Sequence, residues 1–224
     1  MTTLDTTPLA PLLQRLFSEA EAPGPMRRSA ARPQIPSDEG AALMTSARET
    51  DYRRFYSGMK DAYLAVSRDT AQLLYMLVRA TGARSIVEFG TSFGISTLHL
   101  AAGLRDNGGG RLITTEFEPS KAARARENFA AGGLGDLIEL REGDALETLA
   151  HDLPGEIDLV LLDGAKGLYT PVLKLLEAHL KPGTLIVADN ADRTPDYLQL
   201  VRSSSQGYTS VPFAEDVELS MRTG

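Results

Sequence analysis

The chain has 224 residues, enough for one domain with a full core, or one domain with an appendage. Hydrophobic residues make up 42% and charged residues 24%, an ordinary balance for a soluble globular protein. The net charge of -7 argues against a nucleic-acid partner, because neutralising phosphates needs a surplus of Lys and Arg; the absence of cysteine excludes disulfides, zinc-thiolate sites and cysteine nucleophiles.

The start, MTTLDTTPLAPLLQRLF, lacks a basic segment leading into an apolar one, and no apolar run approaches membrane-spanning length. A cytoplasmic protein with no membrane partner is the expectation. A short helix over Leu9 to Glu19 comes first, followed by a Pro- and Arg-rich irregular segment over residues 22 to 36, APGPMRRSAARPQIP. From about Glu39 two helical stretches are expected. The second, MKDAYLAVSRDTAQLLYMLVRATGA, sets Leu64, Leu73, Leu74, Leu77 and Val78 near one face and closes on Gly82 as a C-cap.

The remainder alternates. RSIVEFG (84 to 90), RLITTEF (111 to 117), LIELRE (137 to 142), IDLVLLD (157 to 163) and GTLIVAD (183 to 189) are short β-rich runs with helical patterns between them. This regular alternation predicts an α/β fold, a doubly wound and mostly parallel sheet with helices on both faces. The tail, YTSVPFAEDVELSMRTG, offers two strands around Ala214, Glu215 and Asp216, so an antiparallel hairpin closes the sheet.

The densest signal is VEFGTSFGIST, residues 87 to 97: a strand, an acidic residue, Gly90, Gly94, then a helix start carrying Ser96 and Thr97. Glycines there let the backbone approach a ligand, and free amides at the helix start can meet a polar group. The spacing is G-x-x-x-G. Without a G-x-G-x-x-G, a pyrophosphate is not the natural guest, and a dehydrogenase is disfavoured. The second strand exits at TTEFEPSKA, where Glu116 or Glu118 can take both ribose hydroxyls of a nucleoside; the third exits at REGDALETL, where Asp144 can meet an adenine amino group. Adenosine with a small zwitterionic tail suits these positions better than a dinucleotide.

Asp163 closes LVLLD, and Asp189 with Asn190 closes LIVADN. Adjacent parallel strands would bring all three to one carboxyl edge, where ligands bind in open α/β sheets. Two carboxylates and a carboxamide oxygen form a hard, incomplete shell suited to Mg²⁺ or another divalent cation. Lys166 follows in DGAK. A lysine beside a bound cation holds its ammonium form less firmly, which suits a general base.

These runs, namely IVEFGTSFGISTLHLA, LITTEFEPSKAARARENFAAGGL, EGDALETL and IDLVLLDGAKGLYTPVLKLLEAHLKPGTLIVADN, together resemble the class I S-adenosylmethionine-dependent O-methyltransferases of the catechol and caffeoyl-CoA type. The resemblance covers about residues 60 to 224. It implies a seven-stranded Rossmann-like methyltransferase domain over 59–224, with 1–58 as a helical and irregular cap over the substrate. It implies S-adenosylmethionine as methyl donor, with Glu116 on the ribose, Glu88, Gly90 and Ser96 along the methionine part and Asp144 beside adenine. The full cofactor set expected is Val66, Glu88, Gly90, Ser92, Gly94, Ser96, Glu116, Asp144, Ala145 and Asp163. It also implies a metal held by Asp163, Asp189 and Asn190, with Lys166, Asp163, Asn190 and Glu215 as the catalytic set. Glu215, in the last hairpin turn, matches a glutamate that contacts the substrate's second hydroxyl.

One position departs. Ala165 stands where the family has an aromatic wall before the motif lysine, which implies a pocket wider than a simple catechol needs. The expected acceptor is a small catechol-like molecule. A non-catechol acceptor for N- or O-methylation, or a non-catalytic adenosyl-binding subunit, are the alternatives. His99, His151 and His179 read as structural or solvated. A homodimer is compatible with the sequence, which shows no coiled coil or internal repeat.

Overall fold

The computed structural model describes residues 1–22, 52, 58–214 and 216–224. Nearly all of the Pro- and Arg-rich segment, the helical stretch expected from Glu39, and Glu215 lie outside the described residues. In chain order the elements are α1 (Leu9–Glu21), α2 (Arg68–Thr81), β1 (Ser85–Phe89), α3 (Ile95–Asp106), β2 (Arg111–Glu116), α4 (Pro119–Ala131), β3 (Ile138–Glu142), α5 (Ala145–Thr148), β4 (Ile157–Leu162), α6 (Tyr169–Leu176), β5 (Leu180–Ala188), α7 (Pro195–Arg202), β6 (Tyr208–Phe213) and β7 (Val217–Arg222).

Among the described residues, seven strands form one sheet in the order β3-β2-β1-β4-β5-β7-β6. β1 to β5 pair in parallel; β7 lies antiparallel to β5, and β6 antiparallel to β7. Side chains alternate between two cores. Ile86, Leu112, Leu159 and Leu161 pack under α1 to α4, while Val87, Ile113, Val160 and Leu162 pack under α6 and α7. α1 joins the first core through Leu9, Leu12, Leu13, Leu16 and Phe17, all buried at helical spacing. The closing hairpin is pinned from inside by Glu218, 1% exposed, which takes both donors of Arg202 at 2.8 and 2.7 Å.

Two expected boundaries move. The helix expected from Met59 begins only after Ser67, whose hydroxyl accepts from the Thr70 amide at 3.0 Å and so caps α2. Leu64 therefore lies off the helix and is 39% exposed, and the buried stripe is Ala71, Leu74, Tyr75 and Val78, with Leu73 and Leu77 half-buried. Gly82 is the C-cap, at φ 65. At the other end, β5 starts three residues before the expected Gly183, because buried Thr184 accepts from the Lys181 amide and donates to the Ile157 carbonyl.

The register sets the functional edge. Phe89 is level with Thr115 and Leu162, and Leu162 with Ala188. Gly90, Glu116, Asp163 and Asp189 are the next residue of their strands, so they share one rim. β1 sits where strand order reverses, between β2 and β4. Ligand crevices open at such a switch point.

Candidate active site

The β1 exit is shaped by its glycines. Gly90 has φ +104, and a Cβ there would stand 2.5 Å from the Asp163 carbonyl oxygen, so β1 and β4 approach more closely than any side chain allows. Gly94, at φ +89, lies against the Phe129 ring. Between them Ser92 takes φ 50, and its amide donates to Glu116 Oε2 at 2.7 Å. The Glu118 amide donates to Oε1 of the same carboxylate at 2.9 Å. Burial raises the Glu116 carboxyl pKa against these backbone donors and nearby Lys121. The Glu118 carboxylate is occupied elsewhere, since it accepts from the Ser120 amide and hydroxyl and caps α4 ahead of Pro119.

Glu88 is fully buried and accepts from the hydroxyls of Ser96, Thr97 and Thr114 at 2.5, 2.5 and 2.6 Å. Burial outweighs these donors and pushes its carboxyl up to about 7. Asp144 caps α5 through the Leu146 amide at 3.0 Å, and its other oxygen accepts from the Tyr52 hydroxyl at 2.6 Å.

A cavity of about 660 Å³, counted to its open mouth, runs along these exits. Its wall includes Gly90, Ser92, Glu116, Asp144, Ala145 and Asp163. Glu88, Gly94 and Ser96 are not part of that wall. Val66 is 4% exposed and faces a second space of about 740 Å³, bordered by Phe17, Glu21, Tyr63 and Arg68 on one side and by Asp189, Asn190 and Asp216 on the other. Ala165 belongs to the wall of the first cavity, beside Phe89 and Leu168.

The rim between β4 and β5 gathers the charged groups. The Asp163 amide donates to the Phe89 carbonyl at 2.8 Å and the Asp189 amide to the Leu162 carbonyl at 2.9 Å, so each carboxylate hangs from a continued sheet ladder. Lys166 Nζ lies 3.2 Å from Asp163 Oδ1, 2.7 Å from the Tyr169 hydroxyl and 3.1 Å from the Asp189 carbonyl. Three acceptors match the three donors of an ammonium group. The Tyr169 hydroxyl donates onward to the same Asp189 carbonyl at 2.7 Å. Burial raises the Asp163 carboxyl pKa despite Lys166; burial and then the charge of Asp163 push Asp189 up to about 8. Asn190 adopts φ 51, ψ 40, a conformation Asn tolerates, and its amide nitrogen donates to Asp216 Oδ2 at 3.1 Å. Among the described residues, no three His, Cys, Asp or Glu side chains converge closely enough to hold a metal ion by themselves.

Asp163, Lys166, Asp189 and Asn190 therefore meet at one rim, as expected from the sequence, while Glu215 lies outside the described residues. Sequence reasoning missed Tyr169, Asp216 and Lys121. Tyr169 was readable as the residue one helical turn after Lys166. Lys121 shares its buried helix face with Ala125 and Asn128, at i+4 and i+7. No histidine lines either cavity: His99 is buried, with Nδ1 on the Ile95 carbonyl, His179 meets the Pro154 carbonyl, and His151 is exposed.

The fold and rim define an open α/β sheet with a crevice at its switch point, and comparison with known proteins makes the class specific. The O-methyltransferase family profile matches residues 35–197. A catechol O-methyltransferase of Niastella koreensis is 37% identical over 133 residues, 58% of this chain and 59% of that protein. One from Mycobacterium tuberculosis is 35% identical over 130 residues, 58% of each. The chain thus spans less than two thirds of the length of the curated relatives it matches. Among solved structures, the O-methyltransferase TomG of Streptomyces achromogenes, in complex with SAM, superposes with a TM-score of 0.64 at 26% identity, over 89% of this chain and 96% of that one. An O-methyltransferase from Bacillus cereus in complex with SAH shares the fold at a TM-score of 0.66 and 22% identity, over 88% and 97%. The chain belongs to the O-methyltransferase family. Among its described residues, no helix is long and apolar enough to cross a membrane.

Proposed function

We propose that this protein transfers the methyl group of S-adenosylmethionine to one hydroxyl of a small catechol-like acceptor. The observation that carries the reading is the meeting of Asp163, Lys166, Asp189 and Asn190 on the same rim as the cavity walled by Gly90, Glu116 and Asp144. Methyl transfer asks little covalent work of a protein; it needs donor and acceptor aligned in a site shielded from water. Gly90 and Ser92 line the methionine part, Glu116 takes the ribose hydroxyls, and Asp144 with Ala145 flanks adenine. Glu88, Gly94 and Ser96 hold the loop in shape.

The donor set suits a divalent cation. Burial raises the pKa of both the Asp163 and Asp189 carboxyls, and the charge of Asp163 raises Asp189 further, a repulsion a cation between them would relieve; the Asn190 amide adds a third hard oxygen. Asp163, Asp189 and Asn190 would hold Mg²⁺ or a similar ion, whose charge would make a nearby acceptor hydroxyl more acidic. In its neutral amine form Lys166 receives the proton from that hydroxyl and becomes the ammonium group for which Asp163, the Tyr169 hydroxyl and the Asp189 carbonyl are acceptors. Glu215 accepts from the neighbouring hydroxyl, the role its match to the family implies. Residues 1–58 cap the acceptor and 59–224 carry the transferase fold; Phe17 and Glu21 of α1, bordering the space beside Asp189 and Asn190, support this division.

Methylation of a panel of catechols, followed by chromatography with and without EDTA, tests the reading: product is expected only with Mg²⁺ or Mn²⁺ present. Full activity after EDTA treatment would return Asp163, Asp189 and Asn190 to turn capping. A second reading, an acceptor other than a catechol, is favoured by one feature, Ala165 in place of an aromatic wall. Bulkier dihydroxy aromatics and aliphatic diols belong in the same panel for that reason.

Glu116→Ala is expected to weaken S-adenosylhomocysteine binding by at least about tenfold, since each charge-assisted ribose contact contributes roughly 1.5 to 3 kcal/mol. Calorimetry measures it. Unchanged affinity would mean the ribose is held elsewhere, with Glu118 the next candidate.

A further inference from the structure

Among the described residues walling the first cavity, Lys121 is the only cation. It sits in the first turn of α4 and is 4% exposed. Its Nζ lies 5.4 Å from the centre of the Phe93 ring, in the loop after β1, and among the described residues it forms no hydrogen bond or ion pair. Burying an ammonium group is costly unless an anion meets it, and an aromatic face recovers only part of that cost. Burial pushes the Lys121 pKa down, while the charges of Glu116, Glu118, Asp163 and Asp61 push it back up. Glu116 and Asp163 stand at the exits of β2 and β4, on either side of β1. Because Phe93 lies in the loop that leaves β1, the ammonium group belongs to the β1 end of the crevice, away from the Asp144 end at β3.

The reading proposed above puts S-adenosylmethionine in this cavity, with adenine toward β3 and the methionine part toward β1. That molecule has one anionic group, the carboxylate of its methionine part. Neither its adenosine, nor its amine, nor its sulfonium centre would attract a lysine. We infer that Lys121 binds the methionine carboxylate of S-adenosylmethionine and of the S-adenosylhomocysteine product, beside the Gly90 and Ser92 that line the methionine part. The buried lysine is a built-in counter-charge: among the described residues of the wall, every other charged side chain is a carboxylate.

This inference rests on the methyl-transfer reading, and binding measurements separate the two. Calorimetry on the full chain compares wild type with Lys121→Met, using S-adenosylhomocysteine and 5′-methylthioadenosine, which keeps the adenosine and thioether but lacks the amino acid. Decarboxylated S-adenosylmethionine, which lacks only the carboxylate, is compared with S-adenosylmethionine in the same way. Lys121→Met is expected to weaken S-adenosylhomocysteine and S-adenosylmethionine by about 10- to 100-fold, the loss of one charge-assisted contact. Methylthioadenosine and the decarboxylated donor should bind the variant as they bind wild type. Lys121→Arg, which keeps the charge, should recover much of the affinity. Equal losses for ligands with and without the carboxylate, or no loss at all, would overturn the assignment alone. Wild type that binds none of these adenosyl compounds would overturn the transferase reading and the assignment with it. A thermal unfolding midpoint for each variant guards against a packing defect being read as a binding one.

Discussion

Lys166→Met is expected to lower kcat on a catechol by about 10²- to 10⁴-fold, the usual contribution of a positioned base, while S-adenosylhomocysteine affinity stays within about twofold. The side chain reaches Asp163 Oδ1, the Tyr169 hydroxyl and the Asp189 carbonyl at once, so its nitrogen is held at the rim where both strands end. It is absent from the wall of the donor cavity, which is why donor binding should survive its removal. Losing the amine also removes a positive charge from beside the Asp163 carboxylate, and Lys166→Arg separates these effects. Arginine keeps the charge but cannot give up its proton at neutral pH, so it should be nearly as inactive as methionine if Lys166 acts by removing a proton. Substituted catechols supply the second readout: the deficit should shrink as the hydroxyl becomes more acidic and needs a base less. Turnover of Lys166→Arg near that of wild type would leave Lys166 an electrostatic role only.

Much of this rim was legible because it depends on strand exits. Five short β-rich runs with helices between them leave few arrangements, and parallel pairing carries every exit to one edge, so Gly90, Glu116, Asp163 and Asp189 could be gathered without side-chain geometry. Local chemistry also spoke at Gly82, where a helix needed a residue free to take positive φ. Glu116 and Glu118 remained equivalent to the eye, although the run Glu118, Pro119, Ser120 is an N-cap followed by proline, which is what occupies Glu118. At α2 the apolar period ran back past Ser67, and the capping residue overrode it. Lys121 was invisible for another reason. A lysine is solvated by default, and its burial follows from α4 packing on the β1 loop, where Asn128 donates to the Phe93 carbonyl at 2.9 Å. The pairing of Asn190 with Asp216 is equally non-local, since it joins the β5 exit to the turn between β6 and β7.

Placing Asp163 and Asp189 within reach of the cavity depends on how closely β1 and β4 can run, and that closeness rests on one glycine. Gly90→Ala is expected to cost about 2 to 6 kcal/mol of stability and to weaken S-adenosylhomocysteine binding by more than about 100-fold. Two effects add. Alanine at φ +104 is strained by about 1 to 3 kcal/mol, and its Cβ would sit 2.5 Å from the Asp163 carbonyl oxygen and 2.6 Å from its carbon, an overpacking of similar cost. The atoms met are backbone, so the collision cannot be relieved by rotating a side chain; β4 must shift at the residue that carries the Asp163 carboxylate. Gly82→Ala provides the comparison, because Gly82 has φ +65 with nothing within 4 Å of the added Cβ. It should lose only about 1 kcal/mol, the cost of the dihedral alone, and should bind S-adenosylhomocysteine as wild type does. Denaturant unfolding and calorimetry on the two variants measure both quantities. Equal losses of stability, with binding intact in Gly90→Ala, would mean that the close approach of β1 to β4 does not set the position of Asp163.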